Sequence, residues 1–392
     1  MLKRGNKNRI LIIRLSSIGD IILTTGVINY IKDLYPESEL YYLTVDNFAS
    51  LIENNNKITR VINYNKKLNF TQQQNFRNNL LSELQIDKFD LIVDLHNNFR
   101  TKRFRNGIYK NLIQIKKNRL RKILLVNFKS LFNLIYKSEN NQSTKYHTFD
   151  NYIKPIIKFA GQSDNENEII QKYKFTEIDN NLSENFDLNK NLSFVKNSII
   201  IAPGAKHFTK RLPLQKYVDL SIKLLEKYEK LNIILLGGKE EIELGQSIID
   251  KIINVNLSNL TNPTNLINLS NLTNQKNDLS SRIFNFIGEL TLLESMSLIS
   301  ESKGILCNDS GIMHLASATK TPIIATFGST TQELGFTPLS DNFLIIEKDV
   351  ECRPCSHIGL DKCPKGHFRC MNEIQIDEII LNIISKFKLE NL

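Results

Sequence analysis

The sequence predicts an α/β protein built from parallel sheets with crossover helices and divided into two domains. Three observations carry this. Strand-like apolar runs alternate with helical patterns from the first residues onward, as βα units require. The 392 residues suffice for two domains, each with its own core. A polar, Asn/Glu-rich stretch between roughly 162 and 197 lacks periodicity and separates two such series. The expected layout is therefore a first domain over 1–178, a linker over 179–197 and a second domain over 198–375, with a terminal helix over 376–392 that could pack back across the junction.

Composition narrows the class. A hydrophobic fraction of 41% and a charged fraction of 23% are those of a globular protein, and no apolar run reaches the roughly 18–20 residues of a membrane span. The opening MLKRGNKNRILIIRLSSIGD has basic residues before an apolar run, but the run stops at Arg14, so a buried first strand is expected rather than a signal peptide. A cytoplasmic location follows, with all five cysteines reduced. The net charge of +10 calls for an anionic partner. No aromatic residues interleave with Arg and Lys on a nucleic-acid module, so no nucleic-acid partner is expected. Much of the excess lies between Lys102 and Lys122, which is either a solvated face or a surface for an acidic acceptor or anionic lipid headgroups.

Taken in order, Ile10–Leu15 reads as strand, Asp20–Leu34 as helix, Glu39–Val45 as strand, and Phe89–Leu95 as a strand apolar enough to be central. The segment FDLIVDLHNNFR places Asp94, His96, Asn97 and Arg100 at the carboxyl end of that strand, where ligands bind in such folds. The second half begins with the strand Ser198–Ala202, then Pro203-Gly204-Ala205 and a basic loop Lys206–Arg211. Pro213 suits the first turn of a helix running to about Tyr228. The strand Asn232–Leu236 turns through Gly237-Gly238-Lys239-Glu240-Glu241 into another helix. The heptapeptide Asn256–Asn262 recurs as Asn268–Asn274, which marks residues 254–281 as an Asn-rich inserted surface loop. A strand at Ile283–Gly288, a helix from Thr291 to Ser302 and a strand ending at Cys307 then lead to Asn308-Asp309-Ser310-Gly311.

That turn is where the chain concentrates its chemistry. A strand entering a helix through small residues exposes free N–H groups to an anion, and Asp309, Ser310 and His314 add polar groups to the rim. The strand after it, Pro322–Phe327, ends at Gly328-Ser329-Thr330-Thr331, and two such loops at neighbouring strand ends suit a diphosphate. Asp309 could equally be a plain N-cap. Lys210, with Arg211, could stabilise charge on a leaving nucleoside diphosphate; no D-x-D motif is present to hold a metal for that task. Asp20, after Arg14-Leu-Ser-Ser-Ile-Gly, is either an N-cap or a general base. Cys352, Cys355, Cys363 and Cys370 only partly match zinc-site spacing, leaving zinc and reduced structural thiols as alternatives; Cys307 is expected to pack in its strand.

Together, the segments ILIIRLSSIGDIILTTGVI, VDLHNNFR, PGAKHFTKRLPLQKY, LLGGKEE, NFIGELTLLESMSLISESKGILCNDSGIMHLASATKTPIIATFGST and CRPCSHIGLDKCPKGHFRCM resemble the ADP-heptose:lipopolysaccharide heptosyltransferases of glycosyltransferase family 9. The resemblance runs in family order over nearly the whole chain. It implies a GT-B fold, two Rossmann-like domains facing a cleft, with the nucleotide sugar on the second domain and the acceptor on the first. It implies inverting, metal-independent and cofactor-free transfer of heptose from ADP-heptose to the lipopolysaccharide inner core. Carried over by motif, Asp20 would be the base and Lys210 would meet the donor phosphates. Gly204 and Arg211 would sit with Lys210 in the donor motif, Glu240 or Glu241 would meet the adenosine, and Asp309, Ser310, Gly311 and His314 would meet the diphosphate and heptose. Arg100, Lys102 and Arg103 are expected on the acceptor by position and charge. A glycolipid acceptor implies peripheral attachment to the anionic cytoplasmic face of the inner membrane. The rivals are a GT-B transferase or epimerase acting on another nucleotide sugar, or a non-catalytic, zinc-holding binding module.

Overall fold

A computed structural model describes residue 2 and residues 5–136, 146–174, 194–260 and 279–391. The chain forms two units, Met1–Leu182 with Glu333–Leu339, and Ser183–Gln332 with Ser340–Leu392. The expected linker lies almost wholly outside the described residues.

The first unit is built on five parallel strands, β1 (Arg9–Ile13), β2 (Glu39–Thr44), β3 (Arg60–Asn63), β4 (Phe89–Asp94) and β5 (Tyr109–Gln114), in the order β3-β2-β1-β4-β5. The central strands Ile10–Ile13 and Leu91–Val93 are fully apolar and fully buried, because helices cover both faces of a parallel sheet. The order reverses between β1 and β4, whose register sets Ile13 beside Asp94. The loops leaving these two strands therefore lie side by side at a switch point, where doubly wound sheets bind ligands.

The second unit repeats the plan with six parallel strands, β6 (Ser198–Ala202), β7 (Asn232–Leu235), β8 (Ile283–Asn285), β9 (Gly304–Asn308), β10 (Ile323–Phe327) and β11 (Phe343–Glu347). Their order is β11-β10-β9-β6-β7-β8, with its switch point between β6 and β9 and with Ala202 beside Cys307. Its core gathers Ile199, Ile201, Leu224, Ile233 and Leu306 under the helix Leu214–Lys227.

Three readings change, and one gains detail. The first helix is two, Ile18–Leu23 and Thr25–Leu34, joined at Thr24. The helix Ile242–Leu260 enters the segment expected to be an Asn-rich loop from 254, and the rest of that segment up to 278 lies outside the described residues. The terminal helix Ile376–Lys386 buries Ile379 and Ile383 in the second unit's core, with the Phe387 ring just beyond it in the space a Cβ on Gly304 would need. Most unexpectedly, Glu333–Leu339 joins the first unit, where Leu334 packs with Leu124, Leu125 and Phe132 and the Glu333 carbonyl accepts from Arg121 at 2.8 Å.

Candidate functional site

In the first unit the chain leaves β1 into Arg14–Ser17 and enters the helix Ile18–Leu23, of which Ser17 is the N-cap and Asp20 the third residue. Asp20 is thus not the N-cap that its plainer reading supposed, although its carboxylate does reach back to the helix start. Its Oδ2 accepts from the Ser17 N–H at 3.0 Å and the Ser17 hydroxyl at 2.9 Å, and pairs with Arg14 Nη2 at 2.6 Å. Its Oδ1 accepts from the Tyr152 hydroxyl at 2.5 Å. Arg14 lies over the Tyr152 ring and donates onward to the carbonyls of Ser16 and Leu95, which ties β1 to β4. Burial alone would raise the Asp20 carboxyl, but the Arg14 charge and the bonds from Tyr152 and Ser17 outweigh it and hold the group below the usual carboxylate range. Asp20 is therefore a fixed carboxylate at neutral pH. Oδ2 is crowded by three protein donors and Oδ1 has one, so Oδ1 has room for a substrate hydroxyl.

Beyond β4, Asp94 is a brace. Fully buried, it pairs with Arg105 at 2.9 Å and accepts the N–H groups of His96 and Asn97 at 3.1 and 2.7 Å. This holds His96 at the strand end, in the charge neighbourhood of Arg14 and Asp20. Its Nδ1 is buried with no hydrogen-bond partner, and burial, then Arg14 and Lys117, push the ring down to about 4. His96 is thus neutral at physiological pH.

Arg100 and Arg103, on the helix Phe99–Arg105, come together in a cavity of about 570 Å³. Lys66, Lys67 and Gln73 share it; the two lysines follow β3, a short edge strand whose polar sequence shows no pattern to find. The Arg103 guanidinium rests between the Phe70 and Phe99 rings at 4.5 and 5.5 Å, and its Nε and Nη2 are buried without hydrogen-bond partners. Lys102, expected alongside, is exposed and does not line this cavity.

In the second unit, Asn308 ends β9 and pins the switch point. Its Nδ2 donates to the carbonyls of Pro203 and Gly204 at 2.9 and 3.2 Å, while its Oδ1 accepts from Tyr217, Thr326 and the Leu212 N–H. Asp309 follows, buried, with Lys210 Nζ at 2.7 Å and the Thr330 hydroxyl at 2.6 Å on its Oδ2. Ser310, not Asp309, is the N-cap of the helix Gly311–Ser317. The Ser310 hydroxyl is buried without a partner, as is that of Thr331. His314 is buried on the same helix. Glu240 is exposed, while Glu241 accepts from the Gly238 N–H at 2.8 Å and lies against Gly204, where an added Cβ would sit 1.8 Å from its Oε1. Burial raises the Glu241 carboxyl, against the Gly238 bond and Arg211. Arg211 itself donates to the Ala205 carbonyl at 2.7 Å.

The cysteine-rich tail supports this arrangement. Buried Arg353, between Cys352 and Cys355, donates to the carbonyls of Phe327, Gly328 and Thr330 and pairs with Glu347 at 2.7 Å, while the Cys355 N–H donates to the Ser329 carbonyl at 3.1 Å. Among the described residues, no three His, Cys, Asp or Glu groups are placed to hold a metal. The candidate zinc set Cys352, Cys355, Cys363 and Cys370 therefore forms no ready centre, all five cysteines are free thiols, and burial pushes Cys370 up to about 11. Cys307 is buried in β9, as expected. Arg353 was missed because a buried arginine that satisfies carbonyls leaves no sequence pattern.

Two doubly wound parallel units, each with polar groups gathered at its switch point, make up a GT-B fold. The sequence model of glycosyltransferase family 9 (heptosyltransferase) matches residues 270–363. Lipopolysaccharide heptosyltransferase 1 of Campylobacter coli is 23% identical over 82% of this chain and 84% of its own length. The family 9 glycosyl transferase of Veillonella parvula superposes with a TM-score of 0.70 at 15% identity, covering 99% of both chains. The ADP-heptose lps heptosyltransferase II of Escherichia coli superposes at 0.68 and 16%, over 98% of this chain and 100% of its own. The chain is thus similar to the heptosyltransferases of glycosyltransferase family 9, in sequence over residues 270–363 and in fold over nearly its whole length.

Proposed function

We propose that this enzyme transfers a heptose from ADP-heptose to the inner core of lipopolysaccharide, with inversion and without a metal. The observation that carries the reading is the Lys210–Asp309–Thr330 group, its carboxylate and hydroxyl buried, beside the unpartnered Ser310 hydroxyl. It offers a cation, N–H groups at a helix start and a spare hydroxyl where a sugar diphosphate would lie. Supporting it are the family, whose description names heptosyl transfer, and relatives named for lipopolysaccharide and ADP-heptose. The absence of a D-x-D motif supports metal-independent charge stabilisation.

In this reading the acceptor oxygen attacks the anomeric carbon from the face opposite ADP, its proton passes to Asp20 Oδ1, and the carbon–oxygen bond to ADP breaks. Lys210 takes up the charge that develops on the leaving diphosphate. Glu241 meets the adenosine, Gly204 gives Glu241 its space, and Gly311 and His314 contact the diphosphate and heptose. Arg211 braces the donor loop through Ala205. Arg100 and Arg103 take an anionic group of the acceptor. Asp20 has a low proton affinity, which suits an oxocarbenium-like transition state in which the nucleophile loses its proton late.

The test is transfer by purified protein from ADP-heptose to a panel of truncated inner-core glycolipids, read by mass. One added heptose on one acceptor is expected, undiminished by a chelator. Asp20→Asn should lower turnover by roughly 10²- to 10⁴-fold while leaving ADP affinity unchanged. Normal turnover in that variant would retire Asp20 as the base, and no transfer to any acceptor would remove the heptose reading.

A further inference from the structure

Among the described residues, six of the twelve large hydrophobic side chains left exposed lie in one short stretch. Leu120 (68% exposed), Ile123, Leu131, Leu134 (74%) and Ile135 lie on the helices Arg119–Asn127 and Lys129–Ile135 of the first unit, and Phe128 joins the two. They recur at helical spacing on one side, while Leu124, Leu125 and Phe132 face inward against Leu334.

The pair cannot roll to hide these residues, because Arg121 rivets it. The Arg121 guanidinium is buried against the Phe132, Tyr136 and Tyr146 rings at 4.9, 4.7 and 4.3 Å and donates to the Glu333 carbonyl. Turning the apolar face inward would expose that cation stack. Charge follows the same face. From Leu95 to Ser138 the sequence carries no Asp or Glu, and Lys116, Lys117 and Arg119 stand exposed at the start of the helix pair. Lys122, from the same helix, lies in the charge neighbourhood of Asp20. An apolar face with a cationic flank, in a stretch of sequence without acidic residues, fits an anionic lipid surface, the setting of amphipathic interfacial helices.

We propose that the helices Arg119–Asn127 and Lys129–Ile135 are the membrane-docking surface of this enzyme. The apolar side chains enter the boundary between headgroups and acyl chains, Lys116, Lys117 and Arg119 meet anionic headgroups, and Asp20 is held near the bilayer. The purpose of the docking, though not the docking itself, rests on the proposed glycolipid acceptor.

The test is flotation of the full chain with vesicles of phosphatidylethanolamine containing one third phosphatidylglycerol, against vesicles of phosphatidylcholine alone. The wild type should bind the anionic vesicles and bind the neutral ones less. Leu120→Gln with Leu134→Gln should weaken binding by roughly tenfold or more at any salt concentration. Lys116→Gln with Lys117→Gln should weaken it by about fivefold per charge at low salt, with the defect shrinking as salt rises. On a deacylated, water-soluble acceptor the leucine variant should turn over at the wild-type rate; on the same acceptor embedded in vesicles it should be slower by the factor lost in binding.

Wild-type protein that ignores both vesicles, or a leucine variant that binds as well as wild type, would overturn the proposal. So would a wild-type dimer that the leucine variant splits, since a second copy would then cover the face, or an equal loss of turnover on the soluble acceptor, which would mean general damage. Failure of the wild type to glycosylate any acceptor would remove the heptose reading, while vesicle binding would still decide the docking surface.

Discussion

At the scale of single residues, two side chains in the loops and helix starts that follow β1 and β4 are driven in opposite electrostatic directions. Asp20 stays ionised because Arg14, Tyr152 and Ser17 outweigh its burial. His96 stays neutral because burial, Arg14 and Lys117 act together on it. A histidine lowered to about 4 on folding contributes stability that is full above the unfolded value of about 6.5 and is lost as pH falls toward 4. The full shift corresponds to about 3 kcal/mol, which partial solvent exposure of the ring reduces. Urea unfolding at successive pH values should therefore show wild type losing stability between about pH 6.5 and 4, with His96→Gln losing less over that window. Parallel curves for the two proteins would mean His96 titrates normally. Asp20 was legible from its place after a strand and a glycine. The role of Arg14 was not, because the sequence does not say that its guanidinium folds back onto a residue six positions later.

At the scale of elements, the loop after β10 shows how a site is held from behind. Gly328–Thr330 presents the hydroxyl that bonds Asp309, and its carbonyls are gathered by Arg353 from the cysteine-rich tail. Arg353→Ala would leave several buried carbonyls unsatisfied and Glu347 without its partner, so a stability loss of about 3–5 kcal/mol is expected. ADP affinity should fall with it, because the loop that carries Thr330 would be free to move. Calorimetric ADP binding measured well below the variant's melting temperature would check this, and wild-type affinity there would show that the loop holds itself. The strands and helices next to these loops were largely readable from apolar runs. The edge strands β3, β5 and β11 were not, since each has few fully buried residues and so little apolar pattern to announce it.

At the scale of the whole molecule, the two units are not two consecutive stretches of chain. Leu334 lies in the second half of the sequence yet completes the small core of the first unit beneath the helices of the docking surface. Leu334→Ala should therefore cost about 2–5 kcal/mol locally and lower hydrogen-exchange protection in residues 119–136, with the sheet of the second unit unaffected. Loss of protection confined to strands of the second unit would contradict that assignment. The sequence by itself determined the two parallel α/β units, the strand-end turns that carry Asp20, Lys210 and Asp309, and the resemblance to family 9, because period, small-residue turns and ordered motifs are local properties of the chain. Only the tertiary structure decided that Glu241 rather than Glu240 lies against Gly204, that Lys102 stands apart from Arg100 and Arg103, that the cysteine-rich tail braces a loop, and that six apolar side chains are held outward by a buried arginine. Each of these depends on which distant groups compete for the same space or charge, and that competition is settled only when the chain has packed.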